Sequence, residues 1–320
     1  MTQNTKNSNP ENSRAERSST RNSKEPTRKT ARDFSPAVLD LFDKYVHGDI
    51  SRRDFLDRAA AVAVAGVSAA ALLESLSPDF AAGERIAKDD ARLKTSYVMY
   101  DSPQGGGSIK AYLAEPASRS GKLPGVVVIH ENRGLNPHIE DIARRIALDG
   151  YVALAPDALT PLGGYPGNED DARALFGKLD RDKIVYDFLD AVDYLERYDG
   201  CTGRVGAVGF CFGGGMVNQL AVRRPDLAAG VAFYGAQPAA DDVPKIKAPL
   251  MLHYAGLDER VDAGWPAYRA ALDKAGVEYL AYTYDGANHG FNNDTTPRYD
   301  EAAASLAWQR TMDFFAKHLR

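Results

Sequence analysis

The chain has 320 residues, room for one large or two small domains, with 44% apolar and 26% charged side chains, the proportions of an ordinary globular protein. A net charge of −5, with no cluster of Lys and Arg in the apolar-rich part, offers no footprint for nucleic acid. The two cysteines, Cys201 and Cys211, flank one expected strand and lie too far apart for a disulfide, since each strand residue adds ~3.3 Å. The six histidines show no metal-ligand spacing, so neither a metal nor another cofactor is expected.

Residues 1–33 are almost entirely Asn, Ser, Thr, Lys, Arg and Glu, cannot bury a core, and read as a disordered tail. From Phe34 to Val46 the apolar positions Val38, Leu41, Phe42, Tyr45 and Val46 have helical spacing, and Gly48 ends the helix. Next comes Ser51-Arg52-Arg53-Asp54-Phe55-Leu56, followed by an uncharged, alanine-rich run from Ala59 to Leu73. An arginine pair ahead of a weakly apolar segment is the pattern of a twin-arginine export signal, and the run is shorter than the ~20 residues a spanning helix needs. That reading expects cleavage near Ala81-Ala82-Gly83, export to the periplasm or the extracellular space, and the twin-arginine export machinery as a partner. The competing reading keeps residues 34–83 as a helical segment docked on a cytoplasmic protein, and the ~50 residues ahead of the arginine pair, long for a signal, favour it.

Residues 84–320 alternate strands and helices. Strands are expected at 95–101, 108–114, 125–130, 151–155, 204–209, 229–234, 249–254 and 278–284. Helices are expected near 138–149, 169–177, 181–197, 213–223, 262–275 and 300–318. Continuous apolar strands separated by helices predict an α/β fold, a doubly wound and mostly parallel sheet of about eight strands. The first two strands, joined by Pro103-Gln104-Gly105-Gly106-Gly107, read as an antiparallel hairpin at one edge.

The chemistry is carried by three strand-end loops. Val205-Gly206-Ala207-Val208 runs into Gly209-Phe210-Cys211-Phe212-Gly213-Gly214, the nucleophile-elbow pattern with cysteine in the place of serine. A thiol there stands at a helix N-terminus, whose partial positive charge favours thiolate. A buried cysteine in an ordinary glycine-rich turn is the bland alternative. An elbow needs an acid and then a histidine further along the chain, and both follow strands: Asp258 in Ala255-Gly256-Leu257-Asp258-Glu259-Arg260-Val261, and His289 in Tyr284-Asp285-Gly286-Ala287-Asn288-His289-Gly290-Phe291. His289 would take the thiol proton and Asp258 would fix its tautomer.

These motifs, with His130-Glu131-Asn132-Arg133-Gly134-Leu135 and Gly150-Tyr151-Val152-Ala153-Leu154-Ala155-Pro156-Asp157, resemble the dienelactone hydrolase (carboxymethylenebutenolidase) family of the α/β-hydrolase fold over residues 95–320. The resemblance implies a cysteine hydrolase acting on a small ester or lactone through Cys211, His289 and Asp258. It makes Glu131 an auxiliary carboxylate that holds the resting thiol, and the backbone N–H groups of Phe212 and Asn132 an oxyanion hole. Arg133, Arg173 and Arg181 are candidates, by position, for pairing with a substrate carboxylate. The breaker-rich stretch Thr160–Asn168 either borders the pocket or is a surface loop. The competing function is a catalytically weak relative that binds a small carboxylate or uses Cys211 as a redox-sensitive thiol. Oligomeric state has no signature in the sequence.

Overall fold

The computed structural model describes residues 28–62 and 67–320, so the polar tail up to residue 27 and part of the alanine-rich run lie outside the described residues. In chain order the elements are α1 (Pro36–His47), α2 (Arg52–Val62), α3 (Ala69–Leu76), α4 (Phe80–Gly83), β1 (Leu93–Ser102), β2 (Gly107–Pro116), β3 (Leu123–Ile129), α5 (Pro137–Leu148), β4 (Val152–Pro156), α6 (Glu169–Phe176) and α7 (Arg181–Arg197). There follow β5 (Cys201–Phe210), α8 (Phe212–Arg223), β6 (Ala229–Phe233), β7 (Leu250–Ala255), α9 (Glu259–Asp262), α10 (Trp265–Ala275), β8 (Tyr279–Tyr284) and α11 (Glu301–Leu319).

The eight strands form one sheet in the order β1-β2-β4-β3-β5-β6-β7-β8. The β1–β2 hairpin and the β2–β4 contact are antiparallel, and every other pairing is parallel. Alternate residues of each strand face opposite layers, as the pleat requires. Val127 and Ile129 face a core completed by α7, α8 and α10, whereas Val126 and Val128 face one completed by α5 and α11. The helix expected near 262–275 is α10, and a short extra helix, α9, precedes it with a turn at Gly264 between them. A Cβ at Gly264 would stand 2.3 Å from the Gln237 side chain, which in turn donates to the Val261 carbonyl at 3.0 Å.

The N-terminal helices build a third core of their own. Ser35 caps α1 and Pro36 begins it, while Gly48 ends it in the left-handed conformation at φ 86°. Val38, Leu41, Phe42 and Tyr45 of α1 bury against Phe55 and Ala59 of α2 and Leu72, Leu73 and Leu76 of α3. Arg52 and Arg53 are thus the first residues of a packed helix, and both are exposed. No helix among the described residues is long and apolar enough to cross a membrane.

This helical cap sits on the ends of the sheet strands, held by polar contacts with the loops there. Asn132 Nδ2 and Arg133 Nη2 donate to the Val46 carbonyl at 2.9 and 3.2 Å, and Arg173 Nη1 donates to the carbonyls of Tyr45 and Ile50 at 3.1 and 3.3 Å. Asp170 accepts from the Tyr45 hydroxyl and lies 3.2 Å from Arg52 Nε. Arg298, only 8% exposed, pairs with Asp43 at 3.0 Å. These contacts satisfy helix-end carbonyls of α1 that would otherwise be buried without partners.

Candidate active site

Cys211 stands between β5 and α8 with φ 55° and ψ −113°, a region that costs a residue with a Cβ on the order of 1–3 kcal/mol. The flanking glycines allow this turn. A Cβ at Gly209 would lie 2.0 Å from the Gly213 carbonyl oxygen, and one at Gly213 would lie 2.2 Å from the Ile129 carbonyl oxygen. Strand, turn and helix therefore close at backbone-to-backbone distance, and the thiol is pushed out over the sheet edge.

His289 and Asp258 converge on it from the loops after β8 and β7. His289 Nδ1 lies 2.5 Å from Asp258 Oδ2, both residues are buried, and Asp258 also caps α9 by accepting from Val261 N. With Nδ1 held by a carboxylate, the free ring nitrogen of His289 is Nε2, which is buried and has no hydrogen-bond partner. The amide groups of Phe212 and Asn132 have no intramolecular backbone acceptor among the described residues, so two donors remain available beside the thiol loop.

A residue with no signal in the catalytic motifs completes the cluster. His47, at the end of α1, places Nε2 3.6 Å from Cys211 Sγ, although the two are 164 positions apart. One nitrogen from each of His47 and His289 and the Cys211 sulfur lie within 4.8 Å of one another. A carboxylate stands behind each ring, Asp43 for His47 and Asp258 for His289, which is the arrangement of proton-transfer groups. Burial pushes the Cys211 thiol up, and the two facing histidines more than offset this, bringing it down to about 6. The reciprocal effect appears on the rings. Burial lowers both, yet Asp43 and the thiolate hold His47 up at about 10, and the thiolate with Asp258 holds His289 above its ordinary value. A thiol so depressed is ionised above about pH 6 and loses its charge as pH falls through that value.

The cavity over Cys211 measures about 580 Å³ and is lined by His47, Arg173, Arg181, Arg260, Tyr234 and His289 among others. Among the described residues, no Asp or Glu lines it. Tyr234 leaves β6 at φ 38°, its hydroxyl is buried without a partner, and its ring lies 4.9 Å from that of His289. It lacked any sequence signal beyond its place at a strand end.

Two expected site residues do not line this cavity. The Glu131 carboxylate accepts from Asn293 Nδ2 at 2.9 Å and lines a small cavity of about 50 Å³ under the cap. The group facing the thiol is His47. Arg133 is buried, donates to Asn132 and the Val46 carbonyl, and lies 3.6 Å from Glu169, so it anchors the cap and does not line the Cys211 cavity. Arg173 lines the cavity but is committed to α1, while Arg181, over the rings of Phe176 and Phe212, and Arg260 have no carboxylate partner among the described residues. The Thr160–Asn168 stretch borders a different surface cleft beside Tyr97, and α6 beyond it supplies the pocket wall. His130 is structural: its ring stacks on Phe212 and Nε2 accepts from Ala158 N.

Fold and cleft together define an α/β-hydrolase whose elbow carries a thiol. The dienelactone hydrolase family profile matches residues 109–319, and a second profile, described as YqhI-like, matches residues 25–64. A Salmonella typhi protein named "Putative carboxymethylenebutenolidase" is 33% identical over 234 residues, covering 68% of this chain and 85% of its own length. An Escherichia coli protein, "Putative hydrolase fragment YghX", is 50% identical over 114 residues, 36% of this chain and 97% of that one. Among solved structures, a "Putative Dienelactone Hydrolase" from Klebsiella pneumoniae superposes with a TM-score of 0.62 at 29% identity, covering 70% of this chain and 99% of its own. The chain belongs to the dienelactone hydrolase family and is an ester or lactone hydrolase.

Proposed function

We propose that hydrolysis proceeds through Cys211, His289 and Asp258, on an ester or lactone whose acid part carries an anionic group. The observation that carries the reading is the strained Cys211 elbow facing a buried His289–Asp258 pair. The Cys211 thiolate attacks the carbonyl carbon, and the amides of Phe212 and Asn132 receive the oxyanion. Expulsion of the alkoxide leaves a thioester on Cys211. Water, deprotonated by His289 with Asp258 holding the ring, then releases the acid.

The anionic preference rests on a cavity that presents Arg181 and Arg260 and no carboxylate. An unpaired guanidinium gains from a charge-assisted bond, and such bonds contribute ~1.5–3 kcal/mol, roughly 10- to 100-fold. Carboxylate-bearing aryl esters and lactones are therefore expected to be turned over with kcat/KM well above that of neutral esters of equal size. Arg181→Gln should reduce this preference by roughly 10- to 100-fold while sparing neutral substrates. Equal kcat/KM for both substrate classes in the unaltered enzyme would refute the charge selection.

Export through the twin-arginine route is a companion proposal, motivated by Arg52-Arg53 ahead of the alanine-rich run. It bears on catalysis, because cleavage near residue 83 would remove His47 from the site. N-terminal sequencing of protein from each cell fraction distinguishes a cap that is kept from a signal that is shed.

A further inference from the structure

The last turn of α1 carries Asp43 and His47 on one face. His47 Nδ1 is 2.8 Å from the Asp43 carbonyl oxygen and 3.2 Å from its carboxylate. Both partners accept only, so Nδ1 carries the proton and Nε2 is the nitrogen presented to Cys211. Behind Asp43 stands the buried Arg298 at 3.0 Å, which fixes the carboxylate from the catalytic domain. Arg298, Asp43, His47 and Cys211 thus run in a line from the cap to the thiol, opposite the line Asp258, His289, Cys211. The two imidazoles meet edge to face with centroids 4.7 Å apart.

The charged groups facing His47 are few. Asp43 lies on its own helix, Cys211 and His289 lie across the cleft, and Arg260 of α9 brings Nη2 to 2.9 Å from His47 Nε2 and 3.5 Å from His289 Nδ1. Arg260 is exposed and free to swing out. Its charge beside both rings opposes their protonation, against the pull of Asp43, Asp258 and the thiolate.

We propose that His47 is a second acid–base residue of this site: it holds the proton of the resting Cys211 thiolate and passes it to the leaving oxygen, while His289 serves the water step. The inference rests on the reading of Cys211 as nucleophile. In acylation the sulfur–carbon bond forms, the carbon–oxygen bond breaks, and the alkoxide takes the proton from His47 Nε2. His47 is then neutral. In deacylation His289 Nε2 takes one proton of water, hydroxide adds to the thioester carbon, and the sulfur leaves as thiolate with the acid released. The proton on His289 returns to His47 across the shared cleft, which restores the resting state with one ester and one water consumed. The cap is then part of the catalytic machinery as well as a cover.

The test uses the full-length enzyme, with a chelator present throughout so that the thiol is read free of metal. Iodoacetamide alkylation of Cys211 against pH reports thiolate directly, and single-turnover release of p-nitrophenol from an activated ester reports acylation. His47→Gln is expected to move the alkylation midpoint upward from about 6 toward the ordinary cysteine value. It should also slow acylation ~10²-fold with little change in thioester hydrolysis, in line with a general acid. Asp43→Asn, which leaves the ring in place, should shift both readings in the same direction by less. His289→Gln should show the reverse split, with thioester accumulating. Alkylation midpoint and acylation rate within twofold of the unaltered enzyme in both His47→Gln and Asp43→Asn would overturn the inference. Turnover surviving Cys211→Ala would instead overturn the nucleophile reading beneath it.

Discussion

Cys211→Ala is expected to lower kcat toward substrate esters by on the order of 10⁵-fold while leaving the fold and its melting temperature nearly unchanged. The residue is half-buried at a turn whose geometry is set by backbone contacts of Gly209 and Gly213, so loss of one sulfur removes little packing. Cys211→Ser should recover almost none of the activity. Two histidines bring a thiol down to about 6, but a serine hydroxyl starts from a far higher value and stays protonated in the same surroundings. The loss should also be non-additive. Cys211→Ala combined with His289→Ala should be no worse than Cys211→Ala alone, because His289 acts on a thioester that the Cys211→Ala enzyme never forms. Steady-state kinetics with an active-site-titrated enzyme check all three.

The second large effect is expected from the turn itself. Gly209→Ala places a Cβ 2.0 Å from the Gly213 carbonyl oxygen, and both groups are main chain, so β5 and α8 must separate. Overpacking of this kind costs typically ~1–3 kcal/mol, and displacement of a reacting atom by ~1 Å costs ~10²-fold in rate. Gly209→Ala should therefore lose both melting temperature and kcat. Gly177→Ala is the contrast: it has ordinary right-handed angles, and its nearest neighbours would stand 3.7 Å away, so stability should change little. Thermal melts and kcat of the two variants separate steric closure of the elbow from a general intolerance of alanine.

The sheet and its strand-end loops were readable from sequence because one physical rule generates both. Buried parallel strands are continuous apolar runs, and ligand-facing residues follow their C-terminal ends. Cys211 follows β5 directly, Asp258 lies three residues beyond β7 and His289 five beyond β8. The chain order of nucleophile, acid and histidine was the signal for grouping them, and the glycine-rich turn Pro103–Gly107 was the signal for the edge hairpin over Leu93–Pro116.

The cap was only half legible. The spacing of Val38, Leu41, Phe42 and Tyr45 gives α1, but nothing local says what α1 docks on. Its partners Asn132, Arg133, Arg173 and Arg298 are scattered over 167 positions of the catalytic domain, from 132 to 298. Asp43 and His47 at i,i+4 near a helix end were the available signal for the second histidine, and the same spacing is common on solvated helices. Arg52-Arg53 with the alanine-rich run is ambiguous for a physical reason. An export signal and a short helix buried on one side both need a weakly apolar stretch with few charges, so composition alone does not separate them. Position along the chain makes Arg133 a candidate, whereas the loop turns its side chain under α1 and leaves Arg181 and Arg260 at the cavity.

The most direct measurement is to quench the enzyme in acid during turnover of a carboxylate-bearing p-nitrophenyl ester and analyse its peptides by mass spectrometry. The account predicts that the acyl mass appears on the peptide containing Cys211, as a hydroxylamine-labile thioester, and that it accumulates in His289→Gln. An acyl group on any other residue, or undiminished turnover with Cys211 fully alkylated, would contradict it.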